Sequence, residues 1–345
     1  MIRPVCREDI ASIVEIWNGC AARGEVLFAP MAPDTFSGKF LEGEGRNPEL
    51  FLVYEESGKI KGFVHGVAPD SFRGAQKGHA YLTCLMISPE SRGQHAGKWL
   101  LQAIETEMRR RGAEQLDISS LNPVNLSWII PGSPGHDHNN APGLDLACSG
   151  AGFFFHSGFE NRVTEIAMYQ DLSRYHMDPA VLSRQADLRA QGILTGPYDA
   201  SMDCGFDRMC DRVGSDYWRD VLRTETEAWK AGQPNADARM WPDGIRPAGP
   251  RTILAAVHDG EIVGFTGPVG LQKSGRGWFT GICTDPEYEG RGIATVLFNL
   301  LMSAFVAEGA RFTSLFTGRD GHARKIYQRA GLRPVREFGH MTKRL

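Results

Sequence analysis

The feature that most constrains this chain is a short glycine-containing segment that occurs twice. The first copy covers residues 92–97 (RGQHAG) and the second covers residues 289–294 (EGRGIA). Each copy follows an apolar run that predicts a strand, residues 80–87 and 278–283, and each begins a run whose apolar spacing predicts a helix. A glycine-rich turn between a strand and a helix directs backbone N–H groups and the positive end of the helix dipole at an anion. The sequence therefore predicts two phosphate-binding turns.

A third element follows each turn in the same order. An aromatic residue is followed, after three others, by a glycine and an apolar residue: Phe154 before Gly158, and Tyr327 before Gly331. At 345 residues the chain is long enough for two domains that each bury a core. The repeat therefore indicates two related domains in tandem.

In these elements the chain resembles the GNAT family of acyl-CoA-dependent N-acyltransferases. The family's turn is Gln/Arg-x-x-Gly-x-Gly/Ala, and its later helix carries a Tyr before a Gly–Phe pair. The resemblance covers most of the chain, as two copies in tandem. This tandem arrangement resembles the mycothiol-synthase type of architecture. It implies an α/β (α+β) fold of two tandem domains, each a mixed, mostly antiparallel sheet flanked by helices, with two strands that splay to admit pantetheine. We place the domains at residues 1–172 and 191–345, with a linker at 173–190. Neither turn fits the other glycine-loop patterns, GxxxxGK[S/T] or GxGxxG.

The resemblance implies acetyl-CoA as the acyl donor and no metal. The residues that it assigns to the cofactor are Ile282, Cys283, Thr284, Glu289, Gly290, Arg291, Gly292, Ile293, Ala294 and Asp320 in the second copy, and Arg92, Gly93, Gln94, Ala96 and Gly97 in the first. Two residues depart from the family pattern. Glu289 replaces Gln or Arg. His95 replaces a glycine, and the Cβ of His95 is expected to crowd the diphosphate unless the imidazole donates a hydrogen bond to the diphosphate. We therefore expect an altered first site and a catalytic second domain.

Tyr327 is the best candidate for a catalytic residue, because a phenol with a pKa near 10 can protonate the leaving thiolate. The alternative is a core aromatic. Phe154, at the matching position of the first copy, has no proton to give. The general base stays open among Asp285, Glu287 and Asp320, which also suit roles as helix caps, solvated charges or a cofactor contact.

About 24 residues are inserted in the first copy, because 61 residues separate Gly97 from Gly158 whereas 37 separate Ala294 from Gly331. The inserted segment, residues 122–146, is rich in Pro and Gly and contains His136 and His138. Two histidines do not complete a zinc site, so a loop held by its own hydrogen bonds, or one that lines a substrate cleft, is favoured. A second Pro/Gly-rich stretch, residues 232–250, predicts a loop in the second copy.

The composition bounds the partners. The net charge of −3 and the pI near 6.4 give no reason to expect nucleic acid or a membrane surface. Seven cysteines without a CxxC spacing favour reduced thiols, with Cys84 and Cys283 buried. The N-terminal sequence predicts a strand and a helix and not a signal peptide, so we expect a cytoplasmic protein. We expect it to be a monomer or a homodimer.

We expect transfer of an acetyl group to a primary amine of a small molecule by direct attack. The alternatives are an acyl-CoA sensor that does not catalyse, and an aminoacyl or peptide transferase on the same fold.

Overall fold

The structure is a computed structural model that describes residues 1–199, 205–232 and 251–345. Its chain forms two compact units. The first contains Met1–Ala167, Phe316–Arg319 and Val335–Leu345, and the second contains Met168–Leu315 and Asp320–Pro334. The C-terminal residues thus belong to the first unit, although sequence reasoning assigned them to the second domain. The boundaries of the two sequence copies stay a prediction, and most of the loop expected at 232–250 lies outside the described residues.

The first unit holds four helices and most of the strands. Its helices are α1 (Ile10–Ala22), α2 (Pro33–Phe40), α3 (Ala96–Arg110) and α4 (Ala151–His156). The strands that begin in it are β1 (Ile2–Pro4), β2 (Phe51–Glu56), β3 (Lys59–Val67), β4 (His79–Ile87), β5 (Gln115–Ile118), β6 (Trp128–Ile129), β7 (Asp137–His138), β8 (Leu144–Asp145) and β9 (Glu160–Asp171).

Among the described residues, the second unit holds five further helices and the remaining strands. Its helices are α5 (Pro179–Ala190), α6 (Asp207–Val213), α7 (Asp216–Lys230), α8 (Ile293–Ala307) and α9 (His322–Arg329). Its strands are β10 (Leu194–Pro197), β11 (Leu254–His258), β12 (Glu261–Gly267), β13 (Gly270–Leu271), β14 (Arg276–Trp278), β15 (Gly281–Thr284), and parts of β16 (Phe312–Gly318) and β17 (Arg333–Arg344). Helix α5 occupies the region predicted as the linker.

The sheet of the first unit runs β1-β2-β3-β4-β5-β17-β9. The pairs from β1 to β4 are antiparallel, β4 and β5 are parallel, and β17 is antiparallel to β5. In the described part of the chain, β4 pairs with β5 only over His79–Tyr81, although β4 continues to Ile87. The two strands therefore diverge, and the predicted mixed, mostly antiparallel fold is confirmed.

Two apolar cores cover the two faces of this sheet. On one face α3 packs against β2, β3 and β4 through Leu100, Ile104 and Met108. On the other face Trp17 of α1 stacks on Phe28 at 5.0 Å and meets Phe36 of α2 edge to face at 5.7 Å. Burial of each such side chain stabilises the fold by roughly 1.5–3 kcal/mol, so the helices are held by packing on the sheet.

The second unit repeats the plan. Strands β10-β11-β12-β15 form an antiparallel sheet, and α8 packs on β11 and β12. The run predicted as one strand, residues 278–283, is interrupted: β14 ends at Trp278 and pairs in parallel with β16, whereas β15 starts at Gly281 and pairs with β12. The same divergence thus occurs in both units.

Within the described ranges, no helix has both the length and the apolarity that crossing a membrane requires.

The inserted segment packs directly on the C-terminal strand. A Cβ at Gly143 would overlap the carbonyl oxygen of Gly339 on β17. We expect Gly143→Ala to lower the free energy of unfolding by about 2 kcal/mol or more, because backbone atoms cannot move aside cheaply. Thermal and urea unfolding measure the effect.

Gly152→Ala is the matched control. This glycine lies in α4, and among the described residues no atom lies within 4 Å of its added Cβ. The same methyl group should therefore stabilise the helix by roughly 0.5–1 kcal/mol. Equal stability of Gly143→Ala and the parent protein would show that the segment and the strand are not in contact.

Candidate functional site

The two glycine-containing turns share one backbone conformation. In the first, Gly93 has φ of 73° and His95 has φ of 64°; in the second, Gly290 has φ of 76° and Gly292 has φ of 90°. His95 and Gly292 are the residues that precede α3 and α8. A left-handed conformation is free of Cβ strain at glycine but costs about 1–2 kcal/mol at other residues. The first turn therefore keeps its shape although its second glycine position is a histidine.

The first turn opens onto a cavity of about 790 Å³ within the first unit. The cavity lies where β4 leaves β5, and residues Leu82–Ile87 of β4 form one wall. The turn, α4, the inserted segment and β17 supply the others. This volume is in the range of pockets that hold a cofactor or substrate. The backbone of the turn is retained and a cavity adjoins it, and the altered first site that the sequence predicts stays a prediction.

Arg92, the first residue of this turn, is held by a carboxylate. Its guanidinium donates two hydrogen bonds to Glu25, at 2.8 and 2.6 Å, and Arg23 donates to the same carboxylate at 2.9 Å. The Arg92 and Arg23 guanidinium groups hold the pKa of Glu25 well below its usual range. The pairing fixes the Arg92 side chain beside the cavity. The sequence could not indicate the role of Glu25, because this residue lies far from the turn along the chain.

A hydrogen-bond network around the buried His65 side chain lies near the point at which β4 diverges from β5. The register of β3 and β4 shifts so that Thr83 is an extra residue, a β-bulge, between Leu82 and Cys84. The Thr83 hydroxyl lies 2.9 Å from His65 Nδ1 and accepts a hydrogen bond from Asn122 Nδ2 at 2.9 Å. Burial lowers the pKa of His65 to about 3, so this imidazole is neutral. The network links the bulge to the start of the inserted segment.

The inserted segment forms part of the cavity wall. The Trp128 indole donates to the Asn140 carbonyl at 2.8 Å, and the His138 ring stacks on Trp128 at 5.9 Å. Among the described residues, no group of three or more His, Cys, Asp or Glu side chains is placed to hold a metal ion. Phe154 of α4 is buried in the same wall and meets Phe159 edge to face at 5.5 Å. The His138 ring also lies 4.6 Å from that of Phe316 on β16, so the loop is held by its own contacts and by packing on the neighbouring strands.

The second turn is covered by an arginine side chain. A Cβ at Gly292 would lie 3.0 Å from Cδ of Arg184, which extends from α5 and is half exposed. The Arg291 guanidinium lies 4.9 Å from the centre of the Tyr288 ring, and Glu289 is exposed. The turn thus keeps its glycines, but the space that a diphosphate would need adjoins Arg184.

Tyr327 is buried on α9, with its ring 4.7 Å from that of Phe298. Burial raises its pKa to about 12, so the phenol stays protonated at neutral pH. This environment suits both a proton donor and a packing aromatic.

The remaining predicted residues of the second copy lie on the elements around the turn and after β16. Ile282, Cys283 and Thr284 lie half-buried on β15, Ile293 is buried at the start of α8, and Asp320 is exposed after β16. Burial raises the pKa of Cys283 to about 11, and that of Cys84 further, so both are protonated thiols.

The acidic candidates beside the second turn have structural partners. Asp285 is fully buried, lies 2.6 Å from Arg212 and accepts the Glu287 N–H at 3.0 Å. Glu287 pairs with the same arginine at 3.0 Å. These contacts give both carboxylates a role in holding the turn.

Comparison with known proteins gives a consistent result. Residues 11–126 and 216–332 match the model described as the acetyltransferase (GNAT) family. The search of curated proteins finds no match.

Three solved structures are similar over the whole chain, each at 16% identity. One is the glucosamine N-acetyltransferase region of a fungal multi-domain GH3 β-N-acetylglucosaminidase (TM-score 0.59, 99% of this chain and 38% of that one). The others are a GCN5-related N-acetyltransferase from Sphaerobacter thermophilus (TM-score 0.56, 100% and 95%) and a tandem GNAT protein from the clavulanic acid biosynthesis pathway (TM-score 0.53, 100% and 98%). The chain therefore spans about two fifths of the fungal protein and nearly all of the other two. At this identity the likeness shows the fold alone.

The Glu25–Arg92 pair predicts a pH dependence. The pKa of Glu25 is lower in the folded state than in the unfolded state, so its contribution to stability is complete above the unfolded value of about 4.3 and declines as pH falls below it. We expect Glu25→Gln to lower the free energy of unfolding at pH 7 and to lower it progressively less below pH 4. Urea titrations of both proteins from pH 7 to pH 3 measure this difference, and a constant difference over that range would show that the carboxylate charge is not involved.

Proposed function

Because the chain belongs to the acetyltransferase (GNAT) family and is an acyltransferase, we propose that it transfers the acetyl group of acetyl-CoA to a primary amine of a small molecule. We further propose that the transfer takes place in the first unit. The observation that carries this proposal is the cavity of about 790 Å³ that adjoins the first turn and the divergence of β4 from β5.

The first turn suits the diphosphate of coenzyme A. Gly93 and His95 have positive φ just before α3, a conformation in which backbone N–H groups can converge on an anion. No described atom lies within 4 Å of a Cβ built at Gly93, so the approach to the backbone is open there. Lys98 and the Glu25-paired Arg92 also line the cavity. Gln94 and Gly97 complete the turn.

The divergent part of β4 suits the pantetheine arm. Beyond Tyr81 the register with β5 ends, so backbone groups of β4 on that edge face the cavity. Backbone N–H groups on such an edge can bind the amides of the arm and stabilise the oxyanion that forms when an amine attacks the thioester. Leu85 and Ile87 add apolar wall. The chemistry needs no covalent intermediate on the protein.

Tyr327 supports the second unit as an alternative location for the transfer. Its phenol is buried and has its pKa raised to about 12, so it holds a proton that it can give to the leaving thiolate. By resemblance it belongs to the second turn, where Gly290, Gly292 and Ala294 would hold the diphosphate. Arg184 would then have to move or to pair with a phosphate.

Matched substitutions at the two turns distinguish these locations. Gly93 and Gly290 have nearly the same φ, and neither has a described atom within 4 Å of an added Cβ, so strain from a new side chain should be alike. We expect Gly93→Glu to weaken acetyl-CoA binding tenfold or more, about 1.4 kcal/mol, because it sets a carboxylate against the diphosphate. Gly290→Glu should leave the affinity within twofold. Calorimetric titration measures both, and the reverse pattern would place the cofactor in the second unit.

Tyr327→Phe tests the location of the chemistry. With transfer in the first unit, we expect kcat to stay within twofold of the parent, because the phenyl ring keeps the packing against Phe298. A loss of roughly 10²-fold in kcat at unchanged KM would instead identify Tyr327 as the acid and the second unit as catalytic. Release of thiol from acetyl-CoA over a panel of amines measures it. Tight binding of acetyl-CoA without thiol release from any amine would identify a sensor.

A further inference from the structure

We propose that His95, in its protonated form, binds the diphosphate of acetyl-CoA in the first unit, so that the acyl donor binds together with a proton. This inference rests on the proposed function and names a binding residue and a pH dependence for that same site. The sequence leaves two outcomes open at this position, because the imidazole can either crowd the diphosphate or donate a hydrogen bond to it.

The His95 side chain is accessible and unpaired. It is exposed, lies immediately before α3 and lines the cavity beside the turn. Among the residues that the structure describes, neither of its ring nitrogens has a hydrogen-bond partner, and its ring lies 6.2 Å from that of Trp99, one turn along the helix. The imidazole can therefore meet a ligand without breaking a hydrogen bond of the protein.

The arginine of the same turn already has partners. The Arg92 guanidinium donates to Glu25 at 2.8 and 2.6 Å, and its Nε donates to the Ile87 carbonyl at 3.1 Å. The charge of Glu25 offsets that of Arg92, so this arginine attracts a further anion less strongly. A diphosphate carries more negative charge than a helix N-terminus offsets, which is about half an elementary charge. A protonated imidazole at position 95 supplies a cation that the turn otherwise lacks.

The backbone at His95 indicates that a side chain is kept there at a cost. Its φ of 64° lies in the left-handed region, and Gly292 has φ of 90° at the matching place in the second turn. A residue with a Cβ is strained in this region, and such strained residues are frequent at ligand-binding sites. A charge-assisted hydrogen bond to a phosphate oxygen is a gain that glycine cannot provide.

The direction of the pH dependence follows from the chemistry of the two groups. A neutral imidazole has one donor and one acceptor nitrogen, whereas a protonated imidazole has two donors and a positive charge. A bound anion favours the protonated form, so protonation equally favours the bound anion. Imidazole side chains change charge between about pH 5 and pH 8. The affinity for the donor should therefore be high at pH 6 and should fall as the pH rises to 8.

Other titratable and charged groups lie on the elements around the turn. They are Arg92 with Glu25 and the Cys20 thiol, Glu90 with Lys61, Tyr54 with Glu56, and the exposed Lys98 of α3 and His156 of α4. In the described part of the chain, His156 is the other imidazole that lines the cavity, so His156→Gln is the control for its titration. The 3′-phosphate of coenzyme A also titrates at about pH 6. The probe is therefore acetyl-dephospho-CoA, which keeps the diphosphate and lacks that phosphate.

The test is calorimetric titration with acetyl-dephospho-CoA at pH 6 and pH 8. We expect the Kd of the parent protein to rise about tenfold between these pH values, as for the loss of one charge-assisted hydrogen bond. His95→Gly, which introduces the residue of the second turn, should raise the Kd about tenfold at pH 6 and should match the parent at pH 8. His95→Lys keeps its charge at both pH values and should bind at pH 8 as tightly as the parent binds at pH 6. His156→Gln should keep the pH dependence of the parent.

The possible outcomes separate this inference from the proposed function. Tighter binding by His95→Gly at both pH values would show that the imidazole crowds the diphosphate, and would overturn the inference. A parent Kd that is the same at both pH values would also overturn it, whereas the binding itself would leave the proposed function standing. If neither acetyl-CoA nor acetyl-dephospho-CoA binds the parent at either pH, the proposed function is wrong and this inference fails with it. His95→Gly removes the backbone strain and should fold, which urea unfolding checks.

Discussion

The divergence of β4 from β5 is the constraint on which the first unit's site depends. Two strands that pair over three residues and then separate leave backbone groups without their sheet partners, and a protein keeps such a gap only where something else satisfies them. The bulge at Thr83, fixed by neutral His65 and by Asn122, bends β4 at this point. The turn that follows β4 then places the start of α3 at the mouth of the gap.

Parts of the chain that are far apart in sequence complete the cavity. The inserted segment supplies Trp128 and Asp145, and β17, from the end of the chain, supplies Phe338 and Lys343. Lys343 pairs with Glu105 of α3 at 2.6 Å, so the C-terminal strand is tied to the helix that begins at the turn. The first unit thus needs residues from both ends of the sequence.

Sequence reasoning predicted the two turns, the fold class and the family, because each depends on residues that lie close together in the chain. The expected crowding of the diphosphate by His95 stays a prediction; the structure shows that this histidine adopts the left-handed conformation that Gly292 has in the second turn. Sequence reasoning could not find the pairs Glu25–Arg92 and Asp145–Phe338, or Arg184 above Gly292, because tertiary packing brings them together. It predicted one strand at 278–283, where a local apolar pattern cannot show that the backbone changes partners.

A crystal structure of the protein with acetyl-CoA tests the central claim most directly. The account predicts electron density for the diphosphate at the backbone of residues 92–97 and for the pantetheine arm along Leu82–Ile87. Density on residues 289–294 alone, with the first cavity empty at saturating cofactor, would contradict it.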